Sequence, residues 1–209
     1  MSRSVSFAGV ILAAGESSRM GTDKALLPWP PSKGALNSTD TFLSAAIQSL
    51  SGSTDFVVIV AGKNESALAP VVYAYGASLV VNPDPSQRQF SSLRIGLQEV
   101  LNRGRDAAII TLVDRPAANA TTVLTLREAF ESAPQNVWAV VPEFSGQHGH
   151  PFIAGRELIE AFLRAPPDTT ARDIEHRYQE HMLYVHVDDP FVVVNINTPE
   201  DYARLREKA

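Results

Sequence analysis

The stretch Phe7-Ala-Gly-Val-Ile-Leu-Ala-Ala-Gly15 decides the fold class, because an apolar run passes directly into a turn of small residues. A near-continuous apolar run of this length is typical of a strand that is buried on both faces, as in parallel sheets. The preceding Arg3 gives the segment a superficial likeness to a signal peptide, but no polar cleavage region follows it. We interpret it as a buried strand and expect a cytoplasmic protein.

Short apolar runs and segments of helical periodicity alternate along the rest of the chain. The runs that predict strands are 10–12, 56–60, 78–81, 107–113, 137–141, 183–187 and 191–196. Helical spacing of apolar residues predicts helices around 43–50, 93–101, 123–130 and 158–163, with Ser38, Thr39 and Asp40 as candidate caps of the first. Segments 28–34, 83–89 and 142–151 are predicted loops, and Thr198-Pro199 is predicted to begin the last helix. This order predicts an α/β fold with a mostly parallel sheet.

Composition limits the classes of protein to which the chain can belong. Its 209 residues predict one domain over residues 1–209, and 44% hydrophobic with 20% charged residues is an ordinary globular balance. The net charge of −5 argues against a non-specific nucleic-acid binder, and no apolar run is long enough to cross a membrane. The absence of cysteine excludes disulfides, thiol catalysis and cysteine-ligated metals.

The segment after the first strand has the composition of a phosphate-binding loop. It reads Leu12-Ala-Ala-Gly-Glu-Ser-Ser-Arg-Met-Gly-Thr-Asp-Lys24. A dinucleotide fingerprint fails because Ser17 replaces its second glycine, and a Walker loop fails because Met20 replaces a required glycine. Small residues let backbone N–H groups approach an anion, and Arg19 with Lys24 can clamp a polyphosphate. The alternative is a flexible surface turn with two solvated bases.

Polar residues follow other predicted strands. Asp114 ends a buried run, where a carboxylate can hold Mg²⁺ together with substrate phosphates or can simply stabilise a turn. Ser91 and Ser92 are interpreted as opening a helix, where free N–H groups can receive an anion or where the serines act only as caps. His148 and His150 lack a nearby third ligand and therefore make a weak zinc site.

These segments together resemble one known family. The loop resembles the signature L-A-A-G-x-S-x-R-M-G-x-x-K of nucleotidyltransferases, most closely the MobA-like NTP transferases that include the molybdenum cofactor cytidylyl- and guanylyltransferases. Family patterns are also similar to the segments N-P…S-S-L-R-x-G-L at 82–97, D-R-P at 114–116, G-H-P at 149–151 and N-I-N-T-P-E-D at 195–201. The resemblance implies a single three-layer, Rossmann-like nucleotide-binding domain with a mostly parallel mixed sheet, of the nucleotide-diphospho-sugar transferase type.

The resemblance also implies roles for individual residues. It implies nucleotide binding by Leu12, Ala13, Ala14, Gly15, Arg19, Lys24, Asn82, Ser91 and Ser92. It implies catalytic roles for Arg19, Lys24 and Asp114, a Mg²⁺ site at Asp114 and Asn197, and contacts to the second substrate from His150 and Arg172. Three places depart from the pattern, and one of them is Arg88-Gln-Phe90, where relatives often have a glycine-containing stretch. Asn197 stands where relatives often have aspartate, and Arg115, which we expect to face solvent, stands where they often have methionine.

The implied reaction transfers a nucleotidyl group from an NTP to molybdopterin, the organic part of the molybdenum cofactor, and releases pyrophosphate. CTP is preferred to GTP because Ala14 resembles the cytidine-using branch of the family. A molybdoenzyme or its maturation chaperone is a further implied partner, while nucleic acids and membranes are not. Two alternatives stay open: another phosphorylated acceptor, such as a sugar phosphate or phospholactate, and a non-catalytic nucleotide-binding protein of the same fold.

Overall fold

A computed structural model of the chain describes residues 5–15, 17, 20–29, 40–84, 88–166 and 168–208, which form an eight-stranded sheet with helices on both faces. The strands are β1 (Phe7–Leu12), β2 (Phe56–Ala61), β3 (Ser78–Val81), β4 (Ala107–Leu112), β5 (Ala139–Phe144), β6 (Gln147–His148), β7 (Phe152–Gly155) and β8 (Met182–His186). The first four pair in parallel in the order β3-β2-β1-β4. β7 lies antiparallel between β4 and β5, β6 forms a hairpin with β5, and β8 pairs in parallel with β5. The predicted mostly parallel mixed sheet is confirmed.

Helices cover both faces because successive strand side chains point in opposite directions. The helices are α1 (Phe42–Ser51), α2 (Glu65–Ala74), α3 (Arg88–Asn102), α4 (Ala120–Ser132), α5 (Arg156–Arg164), α6 (Ala171–Arg177) and α7 (Pro199–Lys208). In β1, Phe7 and Ile11 belong to the core shared with α1, α2 and α4, whereas Ala8 and Val10 belong to the core shared with α3 and α5. The predicted three layers are confirmed. No helix in the described part of the chain is long and apolar enough to span a membrane.

The strand predicted over 191–196 is wrong. Residues Pro190–Val193 form a short 3₁₀ turn, which begins where the side chain of Asp189 accepts a hydrogen bond from the backbone N–H of Phe191 at 3.0 Å. Proline occupies the first position of this turn and cannot donate to a sheet. The run is apolar because it packs: Val192 is fully buried, and Phe191 lies edge-on to Trp29.

Other predicted boundaries also shift. The cap of α1 is Thr41, whose side chain accepts from the backbone N–H of Ser44, and not Asp40; Ser38 and Thr39 lie outside the described residues. The predicted loop 142–151 contains the end of β5 and all of β6. The helix α7 begins at Pro199 as predicted, with Thr198 and Asp201 exchanging capping hydrogen bonds.

Candidate active site

The loop that follows β1 is held close to the sheet edge where β1, β2 and β4 end. Its Ala13 N–H donates to the carbonyl of Val60 at 2.9 Å, and its last residue, Lys24, begins a 3₁₀ turn capped by Asp23. The N–H of Lys24 donates to the Ser17 hydroxyl at 3.1 Å, and only 9% of Lys24 is exposed. The loop is therefore tied to the core at both ends. Arg19 lies outside the described residues, so its role stays a prediction.

A residue that the sequence analysis missed joins the two ends of this loop. Asn64, in the turn after β2, donates from Nδ2 to the Ala13 carbonyl at 2.9 Å and to Asp23 Oδ2 at 2.6 Å. Its Oδ1 accepts from the N–H of Gly62 at 3.0 Å. A Cβ at Gly62 would lie 2.9 Å from the Ala14 carbonyl, so a glycine is needed for the close approach. The glycine and asparagine directly after a buried strand are the signal that could have indicated this contact.

Three of the predicted residues meet beside the loop, although they are distant in the chain. Lys24 Nζ lies 3.4 Å from Asp114 Oδ2 and 3.4 Å from Asn197 Oδ1. The N–H of Ile196 donates to the backbone carbonyl of Asp114 at 2.9 Å, which holds Asn197 next to the end of β4. This arrangement places one ammonium group between two oxygen atoms that accept its hydrogen bonds.

The same oxygens are suitable ligands for a hard cation. Asp114 Oδ1 is buried and has no hydrogen-bond partner among the described residues, so the carboxylate has an unused coordination position. Within the described part of the chain, no group of three or more His, Asp or Glu side chains could hold a metal. A site with one carboxylate and one amide fits Mg²⁺, which usually takes one or two protein ligands and fills the rest with phosphate and water oxygens.

A small pocket of about 210 Å³ opens over the loop. Six predicted site residues line it: Leu12, Ala14, Gly15, Lys24, Ser92 and Asp114. Three residues predicted to bind the nucleotide, Ala13, Asn82 and Ser91, do not line it, and neither does the predicted metal ligand Asn197. Ala13 is buried beneath the loop, and Asn82 uses its Nδ2 to donate to the hydroxyls of Ser91 and Ser92, at 2.9 Å each. Because α3 begins at Arg88, the interpretation that these serines open a helix is wrong; they lie within its first turns.

A larger cleft of about 1230 Å³ adjoins the small pocket and shares part of its wall. The shared lining residues are Leu12, Gln89 and Leu112. Both residues predicted to contact a second substrate line this cleft: His150 lies just before β7, and Arg172 is exposed in the first turn of α6. Apolar residues from α3 and the sheet form much of the remaining wall, as is typical of small-molecule sites.

Arg115 also lines the larger cleft, and the expectation that it faces solvent is wrong. Its side chain is half-buried and donates from Nη1 to the carbonyl of Val192 at 3.2 Å. Burial lowers the pKa of its guanidinium, and the nearby Asp114 carboxylate partly opposes that shift. Sequence position could not indicate this burial, because the turn at 190–193 that covers Arg115 is distant in the chain and has the apolar composition of a strand.

His150 contributes a neutral imidazole to the same wall. Burial lowers its pKa to about 3, and the charge of Arg115 acts in the same direction. Its Nδ1 is buried without a hydrogen-bond partner in the described structure, while its backbone N–H donates to Val192 at 2.9 Å. At neutral pH the side chain can therefore offer hydrogen bonds to a ligand without adding charge.

Comparisons with known proteins agree with this architecture. The sequence profile of the MobA-like NTP transferase domain matches residues 9–183. A probable molybdenum cofactor guanylyltransferase of Rhodopirellula baltica is 26% identical over 200 residues, covering 92% of this chain and 88% of the relative. The molybdenum cofactor cytidylyltransferase of Escherichia coli is 25% identical over 201 residues, covering 95% of each chain.

A solved structure extends the comparison to three dimensions. The crystal structure of Rv0371c from Mycobacterium tuberculosis superimposes with a TM-score of 0.80 at 25% identity, covering 98% of this chain and 100% of that one. The profile match spans most of the chain and includes most of β1, the loop that follows it, and Asp114. The chain therefore belongs to the family of MobA-like NTP transferase domain proteins.

Proposed function

We propose that this protein transfers a nucleotidyl group, CMP in preference to GMP, from an NTP to the terminal phosphate of molybdopterin and releases pyrophosphate. The observation that carries the proposal is the junction of the two cavities. A small pocket bordered by the loop after β1 opens into a cleft large enough for a second substrate, and Asp114 and Arg115 lie where the two meet.

In this proposal the small pocket holds the triphosphate. Backbone N–H groups around Ala14 and Gly15 approach the phosphates closely, and Lys24 neutralises charge that accumulates as pyrophosphate leaves. The attacking group is a phosphate monoester, whose second pKa is about 6, so it is largely dianionic at neutral pH. No general base is then required. The protein's task is to bring two anions together in line.

Asp114 and Asn197 would hold Mg²⁺ in this pocket. When bound, the ion would neutralise phosphate oxygens and help to orient the triphosphate. The unpartnered Oδ1 of Asp114 supports this assignment. The Rv0371c protein has also been solved as a complex with manganese, at 24% identity and a TM-score of 0.76, which supports a divalent ion at this fold.

The larger cleft would hold the pterin. His150 and Arg172 supply polar contacts, while the apolar wall covers the ring system. Both sequence relatives are named for the molybdenum cofactor, which supports this acceptor, although one is named for guanylyl and the other for cytidylyl transfer. The preference for CTP rests on Ala14, which is among the residues that line the small pocket.

Three further expectations accompany this function. Residues 1–209 would form one domain, since Leu205 of α7 packs in the same cluster as Phe42 of α1. The protein would act in the cytoplasm, where NTPs are available. A molybdoenzyme or its maturation chaperone would receive the product.

Pyrophosphate release tests the proposal. Purified protein is incubated with one acceptor, either molybdopterin, a sugar phosphate or phospholactate, and with each of CTP, GTP, ATP and UTP, in the presence and absence of Mg²⁺. We expect Mg²⁺-dependent release with CTP, and its loss in Asp114→Ala at an unchanged melting temperature. Release with GTP alone would overturn the base preference. Release only with a sugar phosphate or phospholactate would overturn the acceptor, and no release with any acceptor would support a non-catalytic protein.

A preliminary measurement is thermal denaturation with each nucleotide. A ligand present at 100 times its Kd adds about 2.7 kcal/mol to the free energy of unfolding, which raises the melting temperature by several degrees. A Mg²⁺-dependent shift with CTP would support the nucleotide half of the proposal before the labile acceptor is prepared. Equal shifts with all four nucleotides would contradict the base preference.

A further inference from the structure

Arg115 is a half-buried cation that has no ion-pair partner among the residues the structure describes. In the described structure its one side-chain hydrogen bond goes to a neutral acceptor, the carbonyl of Val192, at 3.2 Å. Buried charged side chains are usually paired, because an uncompensated charge loses its hydration. The Asp114 carboxylate compensates this charge only in part and forms no ion pair with it in the described structure, so Arg115 is suited to an anion that arrives with a ligand.

The location of Arg115 indicates which ligand supplies that anion. Arg115 lines the larger cleft but not the small pocket of the loop, whereas the adjacent Asp114 lines the small pocket but not the cleft. The guanidinium thus lies on the acceptor side of the junction. Arg172 lines the same cleft but is exposed, so its charge is more strongly screened by water.

Other ionisable groups in the cleft do not compensate Arg115. His150 is neutral at physiological pH because burial lowers its pKa to about 3. The cleft also contains two carboxyl groups, Asp168 and Glu175, and burial raises the pKa of Glu175. Neither carboxylate lies within 4.0 Å of the Arg115 guanidinium in the described structure, where Arg115 takes part in none of the ion pairs.

We propose that Arg115 binds the phosphate monoester of the acceptor and positions it as the nucleophile. This inference rests on the proposed nucleotidyl transfer. A guanidinium presents parallel N–H donors that match two phosphate oxygens, while a third oxygen stays free to react. That oxygen forms the new bond to the α-phosphorus of the NTP, and the bond from this phosphorus to the bridging oxygen breaks. Pyrophosphate leaves with the electron pair, and no proton transfer is required.

Steady-state kinetics with the acceptor varied at saturating CTP and Mg²⁺ test this role. Charge-assisted hydrogen bonds to phosphate predict that Arg115→Gln raises the KM for the acceptor roughly 10- to 100-fold. Arg115→Lys should show a smaller rise, because it keeps the charge but loses the paired donors. The KM for CTP should stay within about twofold of the wild-type value, since Arg115 does not line the nucleotide pocket.

The matched control is Arg94→Gln. Arg94 is also half-buried and also donates to a backbone carbonyl, that of Leu163 at 2.9 Å, but it lines neither cavity. A purely structural role for Arg115 predicts equal effects of the two glutamine variants on melting temperature and on both KM values. An unchanged acceptor KM in Arg115→Gln would overturn the proposal.

A second measurement separates this inference from the proposed function. The melting temperature is recorded against inorganic phosphate for the wild type, Arg115→Gln and Lys24→Ala. Binding at Arg115 predicts that the phosphate-dependent shift is lost in Arg115→Gln and retained in Lys24→Ala. A shift that is retained in Arg115→Gln and lost in Lys24→Ala would place the bound phosphate at the loop after β1 and overturn the proposal. CTP could give neither a shift in melting temperature nor turnover while the phosphate-dependent shift still requires Arg115. That result would support an anion site at Arg115 and contradict the proposed nucleotidyl transfer.

Discussion

Replacing Gly149 with alanine should disrupt the wall of the larger cleft, because the added Cβ would collide with the backbone carbonyl of Val192. The carbonyl oxygen of Val192 accepts hydrogen bonds from the His150 N–H at 2.9 Å and from Arg115 Nη1 at 3.2 Å. A Cβ at Gly149 would lie only 2.1 Å from this oxygen and 2.6 Å from its carbon. Both atoms belong to the backbone, so no side-chain rotation can relieve the contact. The two segments must move apart by about 1 Å to restore van der Waals separation.

The cost of this movement can be estimated from overpacked cores. Forced backbone shifts typically cost about 1–3 kcal/mol, and in a chain of this size each kcal/mol lowers the melting temperature by about 2–4 °C. We therefore expect Gly149→Ala to melt roughly 2 to 12 °C below the wild type in a calorimetric scan. Its acceptor KM should also rise, because His150 and Arg115 both lose their common anchor.

The matched control for Gly149→Ala is Gly52→Ala. Gly52 follows α1 with an ordinary φ of −71°, and a Cβ at this position would have no atom within 4 Å among the described residues. This variant should melt at or slightly above the wild-type temperature, since alanine reduces the entropy of the unfolded chain. If Gly149→Ala melts within about 1 °C of Gly52→Ala, the close approach to Val192 is not present and the reasoning is refuted.

Three further substitutions test other parts of the site. Asn64→Ala removes hydrogen bonds to both ends of the loop, so it should lower the free energy of unfolding by about 1–3 kcal/mol and raise the KM for CTP. Asn119 is exposed, and the control variant Asn119→Ala should change neither quantity. Lys24→Ala should lower kcat by about 10²–10³-fold. An effect confined to KM would mean that Lys24 binds the substrate but does not stabilise the transition state. The His150 side chain is neutral in the folded protein and gains a proton more readily in the unfolded chain. The free energy of unfolding of the wild type should therefore fall as the pH drops from 6.5 towards 3. Urea titrations should show a weaker fall for His150→Gln.

Much of the fold could be predicted from local pattern. The strands around Val10, Val58 and Ile109 were recognisable because burial on both faces requires continuous apolar runs, and their structure confirms it. The last helix was recognisable from its capping residues, which interact as that pattern requires. These signals lie within a few residues and do not depend on distant contacts.

Features determined by distant contacts could not be predicted in this way. The apolar run at 191–196 is buried by distant parts of the chain, since Val192 belongs to the main core and Ile196 packs in the cluster of Trp29 and Phe42. Hydrophobicity alone therefore suggested a strand where a turn exists. The central strand β7 has four residues and follows Pro151, and nothing local distinguishes it from a loop. Apolar content indicates that a segment is buried, but its secondary structure depends on the distant residues against which it packs.

The candidate site shows the same division. The resemblance indicated Lys24, Asp114 and Asn197, and the structure brings all three together. It gave no indication of Asn64, whose partners are the two ends of a loop 41 and 51 residues away. It also gave no indication that Arg115 is covered by a distant turn. Side chains that position others carry weaker sequence signals than those that match a motif.

The wide spacing of the site residues has a consequence for synthesis on the ribosome. Lys24 is 90 residues from Asp114 and 173 residues from Asn197, so the site closes only through very long loops. The ribosome makes the loop after β1 first, and Asn197 follows Lys24 by 173 residues. A stalled nascent chain that stops before Asn197 would already contain the most recognisable motif of the protein and still lack an assembled site. Nucleotide capture should therefore mark a chain that extends beyond Asn197, and not the first appearance of its signature sequence.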